Sequence, residues 1–172
     1  MDAIFKQGNI MDAISKSLLI TLSSGKQAFK RGTIVFTNGG GISDLIIRIA
    51  QGFKGYTHCG IALGDGKMIA AWGAENKVIE QDDLQQVVTE ARMPSNKIVP
   101  DIEAAIAMTT ANLGHSYDFG SLLGFVGLPT WGQGPPVSFV CSSLLAYCVF
   151  EKVNFKKTYR QVLPQDIWDL LQ

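Results

Sequence analysis

Residues 57 to 71 read Thr-His-Cys-Gly-Ile-Ala-Leu-Gly-Asp-Gly-Lys-Met-Ile-Ala-Ala, and this stretch limits the fold more than any other in the chain. Asp-Gly between apolar runs is a strong short-range hairpin signal, because glycine accepts positive φ at little cost. The pattern predicts a strand from His58 to Leu63, a turn at Gly64-Asp65-Gly66, and a return strand through Met68 to Ala71. Strand alternation puts His58, Gly60 and Ala62 on one face and Cys59, Ile61 and Leu63 on the other. His58 thus shares a face with small residues, which leaves room for a neighbouring group. A histidine at a strand start serves equally well as a hydrogen-bonded core residue, so its meaning depends on what faces it. Cys59 points away and is read as core.

A second landmark lies far downstream. The apolar run Val137-Ser138-Phe139-Val140 ends at Cys141, which opens a helical segment, Ser142-Ser143-Leu144-Leu145-Ala146-Tyr147. A cysteine at a strand-to-helix junction faces unpaired N–H groups and the positive end of the helix dipole, and both favour the thiolate. The competing reading is a buried, inert cysteine, the commoner fate of this residue type. Cys148 follows on the same side of the helix but about 10 Å along its axis, so it is read as core.

Bulk properties set the class. The chain has 172 residues, 47% of them hydrophobic and 17% charged, enough for one substantial core. Acidic and basic residues number 15 each, which provides no field for attracting nucleic acid or an anionic membrane. Three cysteines do not form a disulfide framework. With two histidines and no CxxC or HExxH spacing, no metal or other cofactor is expected.

Residues 1–30 stand apart as an expected N-terminal helical extension, with Ile4, Met11, Ile14 and Leu18 at helical spacing. Asp2 and Asp12 precede a short apolar run, so no secretory signal is recognised, and no run approaches the roughly 20 apolar residues of a membrane span. The chain is therefore expected to be cytoplasmic as synthesised. Further on, Asn38-Gly39-Gly40-Gly41 reads as a turn bordering the cleft of His58, and Ser43 as the N-cap of a helix whose Leu45, Ile46 and Ile49 face inward. Val78–Glu80 reads as a third strand, Asp83–Thr89 as a turn or short helix, and Ile102 to Leu113 as a helix. The apolar stretch from Phe119 to Trp131 is broken at Pro129 and offers a wall or lid for a substrate. His115 is expected at a helix end, and Leu163-Pro164 starts a docking helix carrying Ile167, Trp168 and Leu171.

Four segments together carry a resemblance over roughly residues 31 to 170: Arg31–Phe36, Tyr56–Ile61 with its Gly64-Asp65-Gly66 turn, Asn112–Asp118, and Phe139–Leu145. In this order, histidine before cysteine, they resemble the circularly permuted branch of the NlpC-type, papain-like superfamily, which includes the lecithin–retinol acyltransferase group. The resemblance implies an α+β papain-like domain over residues 31–172, with an antiparallel sheet packed against the helix that bears the cysteine. It also implies a Cys141–His58 pair acting through a thioester, with Tyr117 beside it in the cleft.

By that resemblance the function is a cysteine hydrolase, an amidase or peptidase, acting on bacterial cell-wall peptide. Reaching the wall would take a phage particle, lysis or a secretion machine. The alternatives are a lipid acyltransferase or thioesterase, and a non-catalytic binding or structural protein on the same fold. One departure bears on these. The superfamily's third polar residue, which orients the imidazole, falls here on Ala70. A main-chain carbonyl, a water, Glu75 or Asn76 is left to hold the ring, and His or Glu at position 70 is expected to fit beside His58.

Overall fold

The computed structural model describes residues 17–82, 88–127 and 137–172. In chain order the elements are β1 (Leu19–Thr21), β2 (Gln27–Phe29), β3 (Ile34–Thr37), α1 (Ile42–Ala50), β4 (His58–Ala62), β5 (Lys67–Trp72), β6 (Lys77–Asp82), β7 (Val88–Arg92), α2 (Ile102–Ala111), β8 (Ser116–Tyr117), α3 (Phe119–Phe125), β9 (Ser138–Phe139), α4 (Cys141–Cys148), a 3-10 turn at Tyr159–Gln161, and α5 (Pro164–Leu170). The class is α+β.

The Asp65-Gly66 turn forms as its sequence demands. Gly64 and Gly66 both take positive φ, and β4 pairs antiparallel with β5 through Ile61 opposite Ile69 and Ala62 opposite Met68. This hairpin is the centre of a seven-stranded sheet in the order β7-β3-β4-β5-β6-β8-β9. Neighbouring strands are antiparallel except β8 and β9, which run parallel with Tyr117 opposite Phe139. That last pairing brings Tyr117 to within two residues of Cys141 across the strand.

Alternation divides the apolar residues between two cores. On one face, Phe36, Cys59, Ile61, Ile69 and Ala71 pack with the helices, including Leu144 and Leu145 of α4, all fully buried. Each such leucine contributes about 1.5–3 kcal/mol by leaving water. On the other face, Val35, Ala62, Met68, Ala70 and Ala91 pack with Phe29 of β2. Burial of α4 on all sides explains its composition. Seven of its eight residues are buried, so small Ser142, Ser143 and Ala146 alternate with leucines to let it lie directly on β4 and β5.

Several expectations need correction. Leu45 and Ile49 are about half exposed; Ile46 packs on the core as expected, and Ile47 takes the place of the other two. Ile42, Leu45, Ile46 and Ile49 lie together on one side of this helix, opposite Asp44 and Arg48, yet of these only Ile46 packs on the core. Its N-cap is Gly41 rather than Ser43, two residues earlier than expected, and the Asp44 carboxylate accepts from the Gly41 N–H at 3.1 Å. Val88 and Thr89 belong to a strand, β7, rather than a turn or helix. Of the expected N-terminal extension, residues 19–29 form the β1–β2 hairpin. Residues 1–16, with most of its helical spacing, lie outside the described residues. So do residues 83–87, and residues 128–136 with the Pro129 and Trp131 part of the expected wall or lid. The domain limits of 1–30 and 31–172 are therefore left as sequence expectations.

Candidate active site

Cys141 is the first residue of α4, whose opening turn is fixed by its two serines. The Val140 N–H donates to Ser143 Oγ at 2.9 Å, which caps the helix start. Ser142 Oγ donates to the Val162 carbonyl at 2.7 Å, buried, and pins the same turn to the chain before α5. The Cys-Ser-Ser run thus has a physical account. The serines hold the backbone so that the sulfur stands at the end of the helix where N–H groups have no intrahelical partner.

The sulfur faces the start of β4. It lies 3.9 Å from the Thr57 carbonyl, the limit of a thiol hydrogen bond. A thiol hydrogen bond from Cys59 is the strongest influence holding the Cys141 sulfur well below the usual thiol range; burial opposes it, and the charge and hydrogen bond of His58 and a main-chain hydrogen bond from Cys59 act in the same downward direction. Cys59 goes the other way, pushed up by complete burial and then by the Cys141 charge. The two thiols are thus driven in opposite directions, Cys141 towards the thiolate and Cys59 towards the thiol.

Cys59 is a buried core residue, as expected of it. It does point away from His58, but that face of β4 is the one that meets α4. The small residues on the His58 face leave no open space either. A Cβ on Gly60 would come within 2.2 Å of Met68 Cε and 3.0 Å of Ala70 Cβ, so β5 fills the gap.

His58 is 7% exposed, and its Nε2 is buried without a hydrogen-bond partner among the described residues. Glu75 and Asn76, offered by the sequence as orienting groups, are exposed in the turn after β5. The imidazole is held instead by Trp72, whose ring centroid lies 4.0 Å away at an interplanar angle of 42°. Trp72 is two residues beyond Ala70, on the same strand face.

A cleft of about 400 Å³ opens above the pair, lined by the Gly39–Gly41 loop, Ser43, His58, Trp72, Tyr117 and Phe119. A Cβ on Gly39 would meet the Asp44 carboxylate at 2.5 Å, so glycine here leaves Asp44 its place at the helix start. Its N–H donates to Thr57 Oγ1 at 2.9 Å, tying the loop to the start of β4. Tyr117 is buried, and that burial pushes its phenol up, with the Cys141 charge adding; its hydroxyl pairs with Ser43. Cys141 itself is 1% exposed and lies under the cleft floor formed by Thr57 and His58.

The structure thus brings Cys141, His58 and Tyr117 together at one end of the sheet. His115 is elsewhere, stacked on Phe139 with centroids 5.9 Å apart. Cys148 receives a hydrogen bond from Asn112 Nδ2 at 3.5 Å, and burial pushes its thiol up to about 12. Among the described residues no three His, Cys, Asp or Glu side chains converge as a metal site, and no helix is long and apolar enough to cross a membrane. Compared with protein-family models, curated proteins and solved structures, the chain matches none.

Proposed function

We propose that this protein is a cysteine hydrolase of the papain-like, permuted NlpC-type kind, acting on an amide through a thioester. The observation that carries the reading is a sulfur at a helix start, beside an imidazole, held well below the usual thiol range. In this mechanism the Cys141 thiolate attacks the acyl carbon, and the unpaired N–H groups at the start of α4 receive the developing oxyanion. The His58 imidazolium then gives its proton to the leaving amine, and the acyl group stays on sulfur. Neutral His58 next takes a proton from water, which releases the acid and restores the thiolate. Tyr117 borders the acyl site and, with its phenol pushed up, stays protonated as a donor.

Bacterial cell-wall peptide is the substrate class that the resemblance supplies. A second reading, an acyl ester with an apolar chain, is favoured by the cleft mouth, where Ile42 is 81% exposed and Phe119 is 50% exposed. Parallel assays on purified cell wall and on a series of acyl esters separate them, with Cys141→Ala and His58→Ala as controls. Release of new amino groups from the wall supports the first reading, and ester turnover that rises with chain length supports the second. Neither activity, or activity that survives Cys141→Ala, sinks the hydrolase reading.

A further inference from the structure

We propose that the paired helices α1 and α3 dock this protein on the surface of a lipid bilayer, with Phe53 and Lys54 as the anchor at one end. A helix on a globular domain normally turns its apolar stripe inward. Helix α1 buries Ile47 but leaves Ile42, Leu45 and Ile49 exposed at helical spacing, and Phe53, just past its end, is 70% exposed. Helix α3 packs against α1 and repeats the pattern, with Phe119, Leu123 and its C-cap Val126 exposed. Seven of the ten large apolar residues exposed among the described residues thus belong to two neighbouring helices and their ends. Such a concentration marks a surface that something covers.

The end of the α1 stripe is strained and held. Phe53 keeps φ at 62°, a left-handed conformation that a bulky side chain adopts only at a cost. The Phe53 N–H donates to the Arg48 carbonyl at 2.7 Å, and the Gly52 N–H to the Ile49 carbonyl at 3.1 Å. Gln51 Nε2 donates to the Lys54 and Tyr56 carbonyls at 3.0 and 2.9 Å. This fixed turn presents an aromatic ring followed directly by an exposed cation. The pair suits a membrane interface, where a ring sits at headgroup level and an ammonium reaches phosphate.

The charges favour lipid over a second copy of the chain. Residues 42–55 hold one acid, Asp44, and its carboxylate is turned back on the helix start, accepting from the Gly41 N–H. Arg48 and Lys54 border the stripe, Arg48 sharing a hollow of about 420 Å³ with Ile42 and Leu45. Residues 119–127 hold no ionisable side chain. A two-fold contact would bring the cations of both copies into one apolar interface, whereas anionic headgroups pair them. The chain has no net charge, so attraction is confined to this face and the apolar stripe supplies most of the binding. Ile42 and Phe119 also line the cleft of His58, so the docked protein turns that cleft to the bilayer. The docking surface stands whether or not Cys141 is a hydrolase nucleophile.

The test is co-sedimentation of the protein with two kinds of vesicle: phosphatidylcholine alone, and about three parts phosphatidylcholine to one of phosphatidylserine. The protein should pellet with both, and more with the mixture. Asparagine tolerates the left-handed backbone, so Phe53→Asn should keep or raise the melting temperature while its partition falls about tenfold. Ile42→Ser should show a similar fall, and Lys54→Ala a loss of about fivefold on the mixture alone. Leu113→Ser, which removes an exposed apolar residue outside this face, should bind like the wild type. No pelleting with either vesicle, or undiminished binding by the Phe53→Asn and Ile42→Ser variants, overturns the proposal. A dimer seen by light scattering and broken by Ile42→Ser also overturns it, and gives the face to a second copy.

Discussion

Replacing Ala70 tests whether the place of the absent polar residue is empty or filled. The sequence expectation was that His or Glu would fit beside His58, but Ala70 is fully buried and its Cβ is already within 3.0 Å of where a Gly60 Cβ would stand. Forcing extra atoms into a packed core costs about 1–3 kcal/mol. At about 2–4 °C per kcal/mol for a chain of this size, Ala70→Leu should lower the melting temperature by about 2–12 °C. Ala70→His should fall further, because its imidazole is buried without a partner and adds about 1–3 kcal/mol. The new histidine also adds a pH dependence. A buried, unpartnered imidazole binds its proton less well than the unfolded chain does, so stability drops as pH falls below about 6.5. Thermal melts of wild type, Ala70→Leu and Ala70→His at pH 5 and pH 8 measure both effects. An Ala70→His protein that melts like the wild type at both pH values, with raised turnover, would refute the packing argument and mark the site as merely under-oriented.

Two further outcomes follow from single contacts. Ser142→Ala leaves the buried Val162 carbonyl without its donor and should cost about 1–3 kcal/mol, read as a fall of about 2–12 °C in melting temperature; no change would mean that the turn is held elsewhere. Trp72→Leu removes the ring on His58 and should slow Cys141 alkylation at neutral pH by about 2–5-fold, with circular dichroism unchanged; an undiminished rate would mean that the indole does not orient the imidazole.

The hairpin and the nucleophile helix were legible because each is written locally. Asp65-Gly66 sets the turn, period 2 sets the faces of β4 and β5, and an apolar run meeting Leu144 and Leu145 marks the strand-to-helix change. What the sequence left open was which layer covers which face. Alternation separates Cys59 from His58, yet nothing local says that α4 lies against the Cys59 side of the sheet. Strand β7 was hidden for a similar reason, since Val-Thr-Glu-Ala-Arg places a charged Glu90 in a buried slot, where the Arg92 guanidinium at 2.9 Å and the Ala91 N–H at 3.3 Å satisfy it. In α1 the side made by Ile42, Leu45 and Ile49 is left largely exposed, and the choice of Ile47 over Leu45 belongs to tertiary packing. The β1–β2 hairpin did carry a local sign, Ser24-Gly25 with Gly25 at φ 80°, which the helical spacing before it obscured.

The central claim is that His58 and the start of α4 keep Cys141 ionised, and the pH profile of its alkylation tests that most directly. Iodoacetamide labelling is followed by peptide mass spectrometry from pH 4 to 10, each cysteine normalised to its own high-pH plateau, so that burial slows the rate without moving the profile. An ordinary thiol of pKa about 8.5 is only about 3% ionised at pH 7. Cys141 should already be on its plateau at pH 7, with its inflection shifted upward in His58→Ala, while Cys148, pushed up to about 12, stays unlabelled. A Cys141 inflection in the ordinary thiol range, unmoved by His58→Ala, would contradict the account.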